Sequence, residues 1–372
     1  MKKIIALTLL LPLVFLKSCG NVDTTKEVYS VTPQNKITFC AVGDNIIHSA
    51  VYTDAKTPDG YDFSKMYAGV SDIISSSDVA FINQETICSG YPASGYPLFQ
   101  TPDEIAEALL YVGFNVVNMA NNHMLDGDTE KTGGGFLHAV QLWQSKKILS
   151  LGAYRDEHDA SVPRVMRKGD INIAFLAYTY GTNVLPTDDL GFFIPYINEE
   201  NIEKDIKEAK KISDFVVVSV HFGDENSKEP TKEQRTLAAK MARWGADAII
   251  GHHSHVLQSI ETIQNGDRKT LVAYSLGNFL STQTKAENIL GGILKFDIVK
   301  EKNGTRWENV NLIPTVCHYG YATSADISTR GNIGVYPLSE YTAQLCERHG
   351  ANIKLDDLLT VYERQAAKNN YS

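Results

Sequence analysis

Five short polar motifs each follow directly on an apolar run, and no other feature constrains this chain as strongly. In order they are Val42-Gly43-Asp44, Asn83-Gln84-Glu85, Ala120-Asn121-Asn122-His123-Met124-Leu125-Asp126, Val220-His221-Phe222-Gly223 and Gly251-His252-His253-Ser254-His255. A short apolar run bounded by polar residues reads as a buried strand, so each motif falls where a strand would end. Side chains converging from the ends of several strands are how α/β folds assemble sites. An Asp, a Glu, an amide and three or more His form a mixed oxygen and nitrogen set, which suits Mn, Fe, Zn or Co better than Ca or Mg. The pattern predicts a centre for two divalent transition-metal ions.

The rest of the chain supports an α/β reading. Strands are expected at 36–42, 79–82, 115–119, 171–177, 215–220, 248–250, 269–274 and 293–299, and helices at 103–112, 133–146, 199–212 and 232–244. This alternation implies helices covering sheet faces. Residues 36–300 read as one large domain, and 301–372 as a less regular C-terminal extension packed on it or a small separate module.

The N-terminus has the form of an export signal. Met1-Lys2-Lys3 is basic, Ile4 to Leu16 is apolar and too short to span a bilayer, and a polar stretch follows. Leu16-Lys17-Ser18-Cys19 is similar to a bacterial lipobox, so residues 1–18 are expected to be a lipoprotein signal peptide, Cys19 the lipidated residue and 19–35 a flexible tether. The expected location is an exported bacterial lipoprotein on the cell membrane or outer membrane. An ordinary signal peptide with an incidental Cys19 is the simpler alternative. Loss of Lys2, Lys3 and Lys17 takes the net charge from −9 to −12, which argues against a nucleic-acid partner. Cys40, Cys88, Cys317 and Cys346 are scattered, without a CxxC pair, so they form no zinc knuckle.

Taken singly, the motif residues carry unequal weight. Asp44 follows a Gly that permits a sharp turn, Glu85 reads equally well as a solvated loop acid, and a lone His221 reads as a hydrogen-bonded core histidine. Three histidines within Gly251-His252-His253-Ser254-His255 are harder to explain by packing, because a buried imidazole needs partners. If that loop curls, His253 and His255 can face different ions. Asn122 offers an amide oxygen while His123, beside it, stays free to give a proton.

Ala120-Asn121-Asn122-His123, Gly251-His252-His253-Ser254-His255-Val256-Leu257-Gln258 and Tyr274-Ser275-Leu276-Gly277-Asn278-Phe279 together resemble the CapA family of bacterial capsule and poly-γ-glutamate synthesis proteins. That family is similar in turn to calcineurin-like metallophosphoesterases. The resemblance covers about residues 36–300 and implies a four-layer α/β/β/α sandwich with a two-metal centre. It implies Asp44, Glu85, Asn122, His221, His253 and His255 as metal ligands and His123 as the general acid. Ile46 stands where many metallophosphoesterases have the His of Asp-x-His, and Asn83-Gln84-Glu85 replaces an Asp-rich second motif; the family shares both departures. His48 is a candidate for the missing ligand or a substrate contact, or simply a surface histidine.

Two metals so placed would activate a hydroxide for attack on a phosphoester or an amide. An anionic envelope polymer, glycan or peptide is the expected substrate, with Arg155 and Asn278 as candidate contacts. The loops at 87–100 and 178–183, rich in Tyr, Gly and Pro, are candidate pocket walls. The competing expectation is a non-catalytic accessory protein of a membrane synthase and export complex.

Overall fold

The computed structural model describes residues 35–127, 133–186, 191–321 and 329–371. Cys19 and the leader lie outside the described residues. In chain order the strands are β1 (Lys36–Asn45), β2 (Lys56–Thr57), β3 (Gly60–Tyr61), β4 (Val79–Gln84), β5 (Val116–Asn118), β6 (Leu149–Leu151), β7 (Arg164–Lys168) and β8 (Ile171–Thr179). They continue with β9 (Phe215–His221), β10 (Ala248–His252), β11 (Ile260–Asn265), β12 (Arg268–Ala273), β13 (Asn278–Leu280), β14 (Leu290–Glu301), β15 (Gly304–Tyr321) and β16 (Arg330–Pro337). β2 and β3 form a small hairpin. The others make two sheets, ordered β16-β15-β14-β1-β4-β5-β6, with β13 also paired to β1, and β11-β12-β10-β9-β8-β7.

Successive strand side chains point to opposite faces, and apolar residues occupy both faces of each sheet. Ile37, Phe39, Phe81 and Phe296 of the first sheet meet Ile173, Phe175, Phe215, Val217 and Ile250 of the second in one shared core. Phe39 stacks on Phe296 with centroids 4.7 Å apart. On the outer face of the first sheet, Val42, Ala80, Ile82 and Val117 pack with Leu109, Phe136, Val140 and Trp143 from helices Ile105–Val112 and Gly134–Ser145. On the outer face of the second, Val216, Val218 and Ile249 pack with Ile202, Ile206, Leu237 and Met241 from helices Glu199–Ile212 and Lys232–Trp244. The result is helix, sheet, sheet, helix: the four-layer sandwich that the sequence resemblance implied.

Local signals account for the helices. Thr231 and Gln234 form a reciprocal capping box at the start of Lys232–Trp244. The Asn198 side chain accepts from Asn201 N, and Ile202, Ile206 and Ala209 then form one apolar stripe. β15 and β16 extend the first sheet antiparallel to β14. Gln365, on helix Leu355–Ala366, donates to the Leu257 carbonyl at 2.6 Å. Among the described residues no helix is long and apolar enough to cross a membrane.

The order of the parallel strands positions the site. β1, β4, β5 and β6 run parallel in the first sheet, and β8, β9, β10 and β12 in the second. Their C-terminal ends therefore share one edge of each sheet, where the five polar motifs stand.

Candidate metal centre

Strand alternation aims most of these groups into the space between the sheets. Phe215 and Val217 of β9 face the shared core, so His221 does too. Ala248 and Ile250 do the same for His252 on β10, and Val79 and Phe81 for Asn83 and Glu85. Plain alternation would send Asp44 to the helix side with Val42. A register shift between Ala41 and Asp44 in the β1–β4 ladder, opposite Asn83, brings it inward. Gly43 permits the close crossing of the following segment, since a Cβ there would lie 1.9 Å from the Gly277 carbonyl oxygen. The Gly251 loop does curl: His253 and His255 both have positive φ, 93° and 58°. Such backbone costs about 1–3 kcal/mol per residue and clusters at functional sites.

The side chains converge. Asp44, Glu85 and His221 are buried and offer ligand-type atoms within 4.8 Å of one another. His255 Nδ1 lies 3.1 Å from Asp44 Oδ2, and its Nε2 lies 3.6 Å from Glu85 Oε1. His221 Nε2 is 2.9 Å from Asn122 Oδ1 and 3.9 Å from Glu85 Oε1. The His253 ring centroid lies 4.8 Å from that of His221 and 6.1 Å from that of His255. All six sequence-designated ligands are thus in one cluster.

Two members were not anticipated. His252 is fully buried with Nδ1 3.4 Å from Asp44 Oδ1. Its place on the inward face of β10 was the available signal, because it shares parity with Ile250. Asn83 donates to Asp44 Oδ1 at 2.9 Å and to Glu85 Oε2 at 3.5 Å, and accepts from Asn118 Nδ2 at 2.9 Å. It ties the two carboxylates to the end of β5.

The chemistry of this cluster fits divalent metal. Glu85 Oε1, His221 Nδ1, both ring nitrogens of His252 and His253 Nδ1 are buried without a hydrogen-bond partner. Buried polar atoms are almost always satisfied, and five unsatisfied ones around two carboxylates mark a place suited to cations. Burial opposes ionisation of Asp44, but His252 and His255 outweigh it and hold that carboxyl well below the usual range. Burial, then the charge of Asp44, pushes Glu85 well above its usual range. Burial and the neighbouring His253 lower His221 well below the ordinary imidazole value. Burial and His255 bring His253 down to about 4. Neutral imidazoles are the form that binds metal.

His123 stands at the edge of the cluster. Its Nδ1 is 2.6 Å from Asp126 Oδ2, which also accepts from Phe99 N at 3.0 Å. Both loops singled out as pocket walls reach the site. Phe99 meets the His123 ring edge-to-face at 4.8 Å, and Tyr180 packs on His253 at 4.7 Å. His48 is partly buried, and its Nδ1 accepts from Thr282 N at 3.2 Å.

The two substrate candidates differ in their settings. Arg155 is exposed, and its Nε lies 3.5 Å from Asp159. Asn278 pairs with Asp44 across β13 and β1, but its amide donates to Gln283 Oε1 at 3.0 Å and to the Asn288 carbonyl at 2.9 Å. Only its Oδ1 is left unpartnered. Cys40, Cys88, Cys317 and Cys346 are buried free thiols.

Fold and site together define a class: α/β/β/α sandwich proteins with a buried carboxylate, amide and imidazole cluster at the ends of their parallel strands. Residues 38–283 match the bacterial capsule synthesis protein family PGA_cap, and the chain belongs to that family. It is 34% identical to the PGA biosynthesis protein CapA of Bacillus subtilis over 218 residues, 55% of this chain and 52% of that one. It is 30% identical to the capsule biosynthesis protein CapA of Bacillus anthracis over 187 residues, 49% and 43% of the two chains. The matched region thus spans about half the length of these relatives. Among solved structures it is similar to a hypothetical protein from Thermus thermophilus, with TM-score 0.46 and 15% identity over 75% of this chain and 98% of that one. It is also similar to the calcineurin-like phosphoesterase YfkN of Bacillus subtilis, with TM-score 0.43 and 10% identity over 90% and 98%.

Proposed function

We propose that this protein is an envelope-associated, metal-dependent hydrolase that acts in the synthesis or processing of a capsule or poly-γ-glutamate polymer. The observation that carries this reading is the set of buried, unpartnered ligand-type atoms gathered around Asp44 and Glu85. A scaffold has no use for polar groups buried at such cost. Asp44, Glu85, Asn122, His221, His253 and His255 would hold two divalent ions of the Mn, Fe or Zn type, with His252 beside Asp44. Such ions supply Lewis acidity and an activated water.

The protein's own residues do the rest. Asp126 accepts the Nδ1–H of His123 and orients the ring, so that the Nε2–H of the imidazolium would protonate the leaving group and leave the ring neutral. Phe99 holds the other side of that ring. Tyr180 packs against His253 at the mouth of the loop. In this reading the bond cleaved is a phosphoester or a γ-glutamyl amide. Lipidation of Cys19 after removal of residues 1–18 would place the protein at the membrane, beside the subunits of a synthase complex and its anionic polymer.

The test is turnover of phosphoesters and γ-glutamyl amides by metal-loaded protein. Activity that disappears in His123→Ala supports the reading; metal-bound protein inert on both classes contradicts it. The biosynthetic names of the two Bacillus relatives favour a second reading, an accessory subunit without catalysis. In that case polymer synthesis would survive His123→Ala.

A further inference from the structure

His48 is a candidate ligand or substrate contact outside the six-residue set, and its setting is built rather than incidental. It follows β1 closely and caps helix Ser49–Asp54 with extended backbone. The Thr282 N–H donates to its Nδ1 at 3.2 Å. Nδ1 therefore carries a lone pair, and the proton of the neutral ring sits on Nε2. Among the described residues Nε2 makes no hydrogen bond, and the residue is only partly buried.

The ring belongs to the reacting side of the site. His48 meets Phe99 edge-to-face at 5.4 Å, and Phe99 meets His123 in the same way at 4.8 Å. Two imidazoles thus flank one aromatic ring, one fixed by Asp126 and the other by Thr282.

Charge is uneven around the cluster. The charges of Asp224 and Glu225, both exposed, bear on His253 and Glu85. The charge of Arg330 bears on His48. Arg330 is held there by its Nη1, which donates to the Thr282 carbonyl at 2.6 Å, and by stacking over Tyr319 at 4.7 Å. An anionic group is repelled from the Asp224 side and attracted to the His48 side.

We infer that His48 is a substrate-positioning residue that donates from Nε2 to an oxyanionic group of the substrate, a phosphate or a carboxylate, and sets its orientation beside His123. The inference rests on the hydrolase reading for the nature of the site. Its own test measures binding rather than turnover.

The full-length protein, loaded with Mn or Zn, is titrated calorimetrically with inorganic phosphate and with γ-glutamylglutamate. Wild type, His48→Asn and His48→Gln are compared. The Asn oxygen can still accept from Thr282 N but offers nothing at the Nε2 position, whereas the Gln amide reaches that position as a donor. His48→Asn should weaken the anion about tenfold or more, His48→Gln should bind within about threefold of wild type, and all three should hold equal metal. Whichever anion binds more tightly identifies the phosphate or the carboxylate source. Wild-type affinity in His48→Asn overturns the inference. So does a metal-loaded wild type that binds neither anion, or a loss of metal in His48→Asn, which would make the residue a metal ligand or a structural support instead. A wild type that takes up no metal contradicts the hydrolase reading instead, and the same titrations on that protein still decide the role of His48.

Discussion

His221 Nε2 lies 2.9 Å from Asn122 Oδ1, bridging the two sheets at the ends of β9 and β5. Both atoms belong to the proposed ligand set, so a proton occupies the line between two metal-binding lone pairs. A divalent ion bound there would require the other tautomer, with the proton moved to the unpartnered Nδ1 and none released. Glu85, pushed well above its usual range by burial and by Asp44, must give up its proton. Metal uptake should therefore release protons and strengthen as pH rises above the ordinary Glu value of about 4.3. His253 does not oppose this near neutrality, since burial and His255 bring it down to about 4. Calorimetry in buffers of different ionisation enthalpy should show proton release on loading. Affinity equal at pH 6 and pH 8, with no proton released, would contradict the arrangement.

Glu85→Gln should have opposite effects on stability and on metal. In metal-free protein the raised pKa of Glu85 means that the folded state binds the extra proton, so this residue's contribution to stability falls as pH rises through and above its unfolded value. Glutamine removes that loss. The variant should be more stable than metal-free wild type at pH 8 by about 1–3 kcal/mol, with the difference shrinking toward pH 4. Added metal should then stabilise wild type alone. Thermal melts across pH, with and without metal, measure both effects.

His123→Ala should leave metal content unchanged and lower kcat by about 10²–10⁴-fold. Asp126→Asn should lower kcat with little change in KM, because it disturbs the ring that Asp126 orients at 2.6 Å without touching the ions. Unchanged turnover in His123→Ala, measured with a substrate found for the wild type, would remove it from the acid role.

Gly251→Ala should be severe although the change is one methyl group. A Cβ at residue 251 would lie 2.0 Å from the Tyr274 carbonyl oxygen, where β10 and the chain leaving β12 meet. Relief requires shifting the backbone that sets His252 and His253. The expected loss is about 3 kcal/mol or more of stability, together with lower metal affinity. A variant with wild-type melting and metal content would show that the loop tolerates such a shift.

Much of this was legible in the residues because the information is local. The helix Lys232–Trp244 has the bounds its pattern predicts, since its capping box and terminal Gly lie within the segment itself. The six proposed ligands were legible as strand-end motifs. His252 was not, because choosing among three adjacent histidines depends on which face of β10 turns inward, a property of the packed sheets. Asn83 reads as part of a motif but acts as a brace between Asp44 and Glu85, two residues separated along the chain. β15 and β16 were not legible for a related reason: the first half of β15 mixes exposed and half-buried residues, and its partners lie on β14 and β16.

Everything proposed for this site depends on Asp44, Glu85, Asn122 and the histidines of β9 and the 251–255 loop holding divalent metal. Elemental analysis of the purified protein beside an Asp44→Ala/His253→Ala double variant decides that point. About two transition-metal equivalents per chain are expected in the wild type, lost in the double variant while the fold, judged by circular dichroism, persists. A wild type without bound metal after loading with Mn, Fe or Zn, or a double variant that retains full occupancy, would contradict it.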